Sequence, residues 1–252
     1  MKYTTEVIKM KNVDGKLIDI NIYHLVLDDL SNIKTVIEEE ISDIWDPSTK
    51  YSLCCVQKAI YNVISKKTDS QKHGLCAEFF MHLFLRNLGY SQKCLFSNLE
   101  ENSMKKGFDG FYEFSNEFWI AESKCTIKDN KHKKKIEEAL NDIDKKVNTT
   151  TGNNPWQNAV HHIAIREQGQ PKSSLQTKIS ELANDYINNI SHDSSEFNLI
   201  PVSTIFLSSN QSDLELKKDI EKVISSRKIK NMIILCTNNE VYDDFISYLK
   251  GE

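Results

Sequence analysis

The feature that most constrains this chain is the rhythm of its last quarter. Residues 200–207 and 232–236 are apolar at nearly every position, and each run is followed by helical spacing, over residues 213–225 and 241–249. A strand that does not alternate has both faces covered, and strand, helix, strand, helix is the order that builds parallel pairing under helices. The expected fold class is therefore α/β, with a mixed central sheet flanked by helices.

Upstream, residues 17–27 alternate loosely and predict a strand, and residues 32–45 predict a helix ended by Asp46-Pro47. Residues 51–65 place Cys55, Ala59, Ile60, Val63 and Ile64 at helical spacing. The first 70 residues thus form an α-rich elaboration with one strand, ahead of a main domain over residues 71–252. Residues 74–89 predict a helix apolar on nearly every side, except for a line of Glu78, His82 and Arg86. That line has to face water or something that needs charge.

Three short strands are expected next, over residues 93–97, 108–114 and 117–127, the last two joined by a tight turn at Ser115-Asn116. A lysine-rich helix over residues 129–147 follows, then a polar loop to Asn154 and helices over residues 155–166 and 173–190.

Composition excludes several classes. With 27% charged residues, 39% hydrophobic residues, 8 Gly and 4 Pro, the chain is neither fibrous nor low-complexity. It has no apolar run of membrane-spanning length, and its six cysteines form no C-x-x-C pair, which predicts reduced thiols in a cytoplasmic protein. The net charge of −4 announces no nucleic-acid partner, yet eight lysines lie between Lys124 and Lys146. A local basic ridge binds phosphate even on an acidic chain, although a solvated helix face has the same pattern.

The chemistry concentrates around residues 106–124. In the strand over 117–127, period two puts Glu122 and Lys124 beside Phe118 and Ile120 on a largely apolar face, where unpaired charge is costly. A hairpin of this length returns Asp109, in Gly107-Phe108-Asp109-Gly110, beside Glu122. Two converging carboxylates make a hard-cation site of the kind that Mg²⁺ or Mn²⁺ takes, and a lysine on the same strand then orients the attacking water. Glu78 is the candidate further carboxylate. Each residue also has a plain structural role: Glu122 and Lys124 as an ion pair, Asp109 as a turn residue beside Gly110, Glu78 on a solvent-facing stripe. The adjacent His161 and His162 point about 100° apart on a helix and do not face one metal together. No cysteine has a nucleophile context.

In this order, Glu78, Asp109, Glu122-Ser123-Lys124 and then a basic helix, the chain resembles the PD-(D/E)xK nuclease superfamily. Phe108 stands where the superfamily's name has proline, and no Gln-x-x-x-Tyr element follows Lys124. Gly74-Leu75-Cys76-Ala77-Glu78, Gly107-Phe108-Asp109-Gly110-Phe111 and Ala121-Glu122-Ser123-Lys124-Cys125 further resemble the HamA family, nuclease subunits of Hachiman anti-phage systems. The resemblance implies a restriction-endonuclease-like core over residues 71–252 and DNA as substrate, with a HamB-like helicase as partner. It implies Asp109, Glu122 and Glu78 as metal ligands, Lys124 as the catalytic lysine, and Lys128, Lys131, Lys133, Lys134 and Lys135 on the DNA backbone. A non-catalytic subunit with a nuclease-like fold is the competing expectation.

Overall fold

The computed structural model describes residues 1–47, 50–96, 107–129, 131–167, 173–207 and 211–251. Seven strands, β1 (Tyr3–Lys11), β2 (Leu17–Leu27), β3 (Ser91–Gln92), β4 (Gly110–Phe114), β5 (Glu117–Thr126), β6 (Asn198–Ile205) and β7 (Asn231–Asn239), form one sheet. Its order is β1-β2-β7-β6-β5-β4-β3. The pairs β2–β7, β7–β6 and β6–β5 are parallel, and antiparallel strands flank this centre on both sides. The α/β class with a mixed sheet is thus the observed one, and β6 and β7 are buried along almost their whole length.

Helices cover both faces. On one side lie α4 (Lys133–Asn148), α5 (Pro155–Arg166), α6 (Ser174–Ile187) and α7 (Asp213–Ile224), packed with Ile20, Ile22, Phe118, Ile120 and Ile234. On the other lie α1 (Lys34–Trp45), α2 (Leu53–Ser65), α3 (Asp69–Asn87) and α8 (Tyr242–Lys250). The face of α4 toward the sheet is Ile136, Leu140, Ile143 and Val147, all fully buried, each contributing about 1.5–3 kcal/mol by leaving water.

Several boundaries differ from the sequence reading for physical reasons. Strand β1 had little sequence signal, since Ile8 is its one buried side chain and Glu6 stands on the same face as Ile8 and Met10. It forms the sheet edge. Helix α3 begins at Asp69 rather than Gly74, because Thr68 and Gln71 form a capping box that starts the helix earlier. The expected strand over 93–97 is not a strand at residues 93–96, and Ser97 lies outside the described residues. There the main chain bonds elsewhere: Leu95 N–H donates to His162 Nδ1, Phe96 N–H to the Ile44 carbonyl, and Arg166 Nε donates to the Cys94 carbonyl. Cysteines 76, 94 and 236 are buried free thiols as expected, whereas Cys54 and Cys55 are exposed on α2. No helix among the described residues is long and apolar enough to cross a membrane.

Candidate active site

The hairpin β4–β5 positions the site. Its turn is Ser115-Asn116, with φ of 52° and 61°, the left-handed pair that matches the twist of two antiparallel strands. From Phe114 opposite Glu117, the register runs to Gly110 opposite Ala121. One further step puts Asp109 across from Glu122. Asp109 Oδ2 there accepts the Ser123 N–H at 2.9 Å, so the carboxylate is fixed to the strand that carries Glu122.

The two glycines around Asp109 are required by close approach. A Cβ on Gly107 would lie 2.6 Å from the Pro155 carbonyl oxygen, and one on Gly110 would lie 2.6 Å from the Tyr112 ring and 3.1 Å from Ala121 Cβ. The chain reaches the site only because both positions lack side chains.

Glu122 is 2% exposed, and each of its oxygens meets a different ammonium. Lys124 Nζ lies 2.9 Å from Oε1, and Lys146 Nζ lies 2.6 Å from Oε2. Lys124 also holds Asp142 Oδ2 at 2.6 Å. Burial opposes the Lys124 charge, but Glu122, Asp142 and Asp109 outweigh it and raise its pKa above the ordinary lysine value. Lys124 therefore stays cationic at neutral pH, a source of charge and hydrogen bonds rather than a base.

Asp109 is pushed up to about 7, first by burial and then by the charges of Glu122 and Glu78, against the pull of Lys146 and the Ser123 N–H. The three carboxylates of the sequence reading thus share one electrostatic field. Glu78 reaches it from α3. The polar line of that helix points inward, not at water: Glu78 is 8% exposed, and His82, fully buried, has Nε2 3.8 Å from Glu78 Oε1. The other His82 nitrogen, Nδ1, is hydrogen-bonded to the Tyr112 hydroxyl, and Arg86 pairs with Glu40 and Asp43 of α1.

Hard oxygen donors suit Mg²⁺, which takes one or two carboxylates and keeps several waters. Asp109 and Glu122 supply two, whereas Ser123, between Glu122 and Lys124, alternates to the opposite face of β5. Among the described residues, no group of three or more His, Cys, Asp or Glu side chains is arranged to hold a metal ion. What the described residues offer a hard cation is thus two carboxylates, with water left to complete its shell. Glu78 would then act through water.

The five lysines expected to bind DNA lie at and before the start of α4, which begins at Lys133, not Asp129. Lys128, Lys131 and Lys134 are exposed, Lys133 is half-buried, and Lys135 pairs with Glu138 at 2.6 Å. Successive helix residues point about 100° apart, so Lys133, Lys134 and Lys135 do not share a face. His161 is exposed and His162 buried, its Nδ1 accepting the Leu95 N–H.

Sequence reasoning missed Lys146 and Asp142 as site residues. Both lay in the lysine-rich helix read as a ridge, but their i, i+4 spacing beside Ile143 and Val147 marks the border of its apolar face, the line nearest to β5. It also missed a buried polar chain at the carboxyl ends of the parallel strands. Asp213 Oδ1 meets His24 Nδ1 at 2.7 Å, His24 Nε2 meets Asn238 Nδ2 at 3.2 Å, Asn238 Oδ1 meets His132 Nε2 at 2.9 Å, and His132 Nδ1 meets Ser203 Oγ at 2.8 Å. These residues are far apart in sequence, and no local motif links them.

Comparison with curated proteins finds no match. The HamA family model matches residues 11–250, a span that takes in every strand of the sheet but β1, of which it includes only Lys11. With Glu78, Asp109, Glu122 and Lys124 all inside that span, the chain belongs to the HamA family.

Proposed function

We propose that this chain hydrolyses phosphodiester bonds in DNA with a divalent cation, Mg²⁺ or Mn²⁺, as the nuclease of a Hachiman anti-phage defence complex. The observation that carries this reading is Asp109 tied by the Ser123 N–H to the strand of Glu122, in the electrostatic reach of Glu122 and Glu78, with Lys124 bonded to Glu122. A fold does not need Asp109 set against the charges of two further acids. Perturbed groups of this kind mark functional sites.

The bound cation would polarise the scissile phosphate and lower the pKa of its water. Asp109 and Glu122 would hold that cation, and Glu78 would orient water at its edge. Lys124, kept charged by its acidic neighbours, would position the attacking water and stabilise the charge that develops on the phosphate. The exposed Lys128, Lys131 and Lys134 would hold the backbone of the strand. Contacts of that type carry little sequence information, so cleavage would be weakly sequence-specific. Its partner in this reading is a helicase of the HamB type, and its place the cytoplasm, where the DNA is. A nuclease so unselective would be held inactive in the resting complex.

One observation favours a second reading: both Glu122 oxygens are engaged by lysines, as in a purely structural ion-pair network. A non-catalytic subunit that binds DNA or regulates its partner would look like this. Supercoiled-plasmid nicking separates the two. Wild type, alone or with its helicase, is expected to nick with Mg²⁺ and not with EDTA, and Glu122→Ala/Lys124→Ala to be inert under both conditions. Absence of nicking in every arrangement, with the fold equally stable with and without Mn²⁺, would leave the non-catalytic subunit.

A further inference from the structure

Lys146 is the active-site residue that the order of motifs does not contain. It lies in the last turn of α4, reaches Glu122 Oε2 at 2.6 Å with 27% of its side chain exposed, and its ammonium lies 5.7 Å from the centroid of the Phe108 ring. Its situation differs from that of Lys124. Lys124 is tethered on both sides, by Glu122 and by Asp142 one turn before Lys146 on the same helix. Among the described residues Lys146 has one ion-pair partner, Glu122.

We propose that Lys146 is a second catalytic lysine, which exchanges Glu122 for a non-bridging oxygen of the scissile phosphate when the divalent cation binds. The inference rests on the phosphodiesterase reading and extends it. A cation between Asp109 and Glu122 competes with Lys146 for the same oxygen, and the stronger point charge displaces it. The side chain is already partly in solvent, so release does not strand it in the interior. Phe108, next to Asp109 in the chain, keeps it over the site through its ring face. The next anion within its reach is the substrate phosphate, where a fixed positive charge counts most in the transition state. Lys124 remains where it is, held by Asp142.

Lys146→Met keeps the apolar stem and removes the charge. Its Mn²⁺ midpoint, read by thermal shift without DNA, is expected to fall severalfold because the competitor for Glu122 is gone. Its kcat on a DNA duplex is expected to fall roughly 10²-fold, with KM little changed and with partial recovery in Lys146→Arg. A purely structural lysine predicts the opposite pattern: lower metal-free stability, an unchanged or higher Mn²⁺ midpoint, and a kcat that follows the folded fraction. That pattern, or a Lys146→Met enzyme with wild-type kcat, would overturn the inference while leaving the nuclease reading intact. A wild type that neither binds Mn²⁺ nor cleaves would remove both.

Discussion

Asp109 and Ser123 are joined by a 2.9 Å hydrogen bond from the Ser123 main-chain N–H to Asp109 Oδ2, in the register step just beyond the last pair of the hairpin. The bond secures a carboxylate that burial and two neighbouring acids push up to about 7. It holds in place a group that the fold would be more comfortable without.

Replacing Asp109 by Asn should therefore separate stability from function. The amide oxygen still accepts the Ser123 N–H, while the repulsion with Glu122 and Glu78 disappears. Thermal unfolding should occur at the wild-type temperature or above it, and metal-dependent cleavage should be lost. A clear drop in Tm would mean that the charge itself holds the hairpin.

Gly107→Ala should act in the other direction. Its Cβ would fall 2.6 Å from the Pro155 carbonyl oxygen and 2.7 Å from Pro155 Cα, main-chain atoms that cannot rotate away. Relief requires Phe108 and Asp109 to move, at about 1–3 kcal/mol. Urea unfolding should show that loss, and cleavage should fall by more than the folded fraction explains.

The buried histidine chain gives a pH prediction. His132 is lowered to about 3, chiefly by burial and next by His24, against its hydrogen bonds with Asn238 Oδ1 and Ser203. The groups facing it are His24 from β2, Ser203 from β6 and Asn238 from β7, with Asp213 behind His24. Because its folded pKa lies below the unfolded one, its contribution is present above about 6.5. It is lost as pH falls from there toward 3, at roughly 1.4 kcal/mol per pH unit. Stability measured by urea titration from pH 7 to 4 should fall more steeply in wild type than in His132→Gln. Equal slopes would show that His132 is protonated without cost.

DNA affinity should separate the lysines that the sequence groups together. Exposed Lys131 and Lys134 are free to neutralise phosphates, so each alanine substitution should reduce the slope of log affinity against log salt by about 1. Lys135, paired with Glu138 at 2.6 Å, should change that slope less. Identical effects at all three positions would mean that Glu138 releases Lys135 on binding.

The parts legible in the sequence were those written in local pattern. The doubly apolar runs of β6 and β7 gave the class of sheet, and Ser115-Asn116 gave the hairpin, whose register brings Asp109 back to the strand that carries Glu122. The polar line on α3 was visible too, but the sequence left open whether it faced water or the interior, and only the packing of the fold turns Glu78 and His82 inward. What stayed hidden depends on contacts across the fold. Strand β1 shows little apolar surface because it is an edge. Lys146 and Asp142 acquire meaning only once α4 lies along β5, and the chain from Asp213 to Ser203 joins three strands and two helix starts that no sequence window contains.

The central claim is that Asp109 and Glu122 form one cation site. Calorimetric titration of the purified chain with Mn²⁺, for wild type, Asp109→Asn and Glu122→Gln, tests it most directly. The account predicts saturable binding by wild type and at least a tenfold loss, about 1.4 kcal/mol, in each variant. Binding that survives both substitutions, or no binding by the wild-type chain with or without DNA, would contradict it.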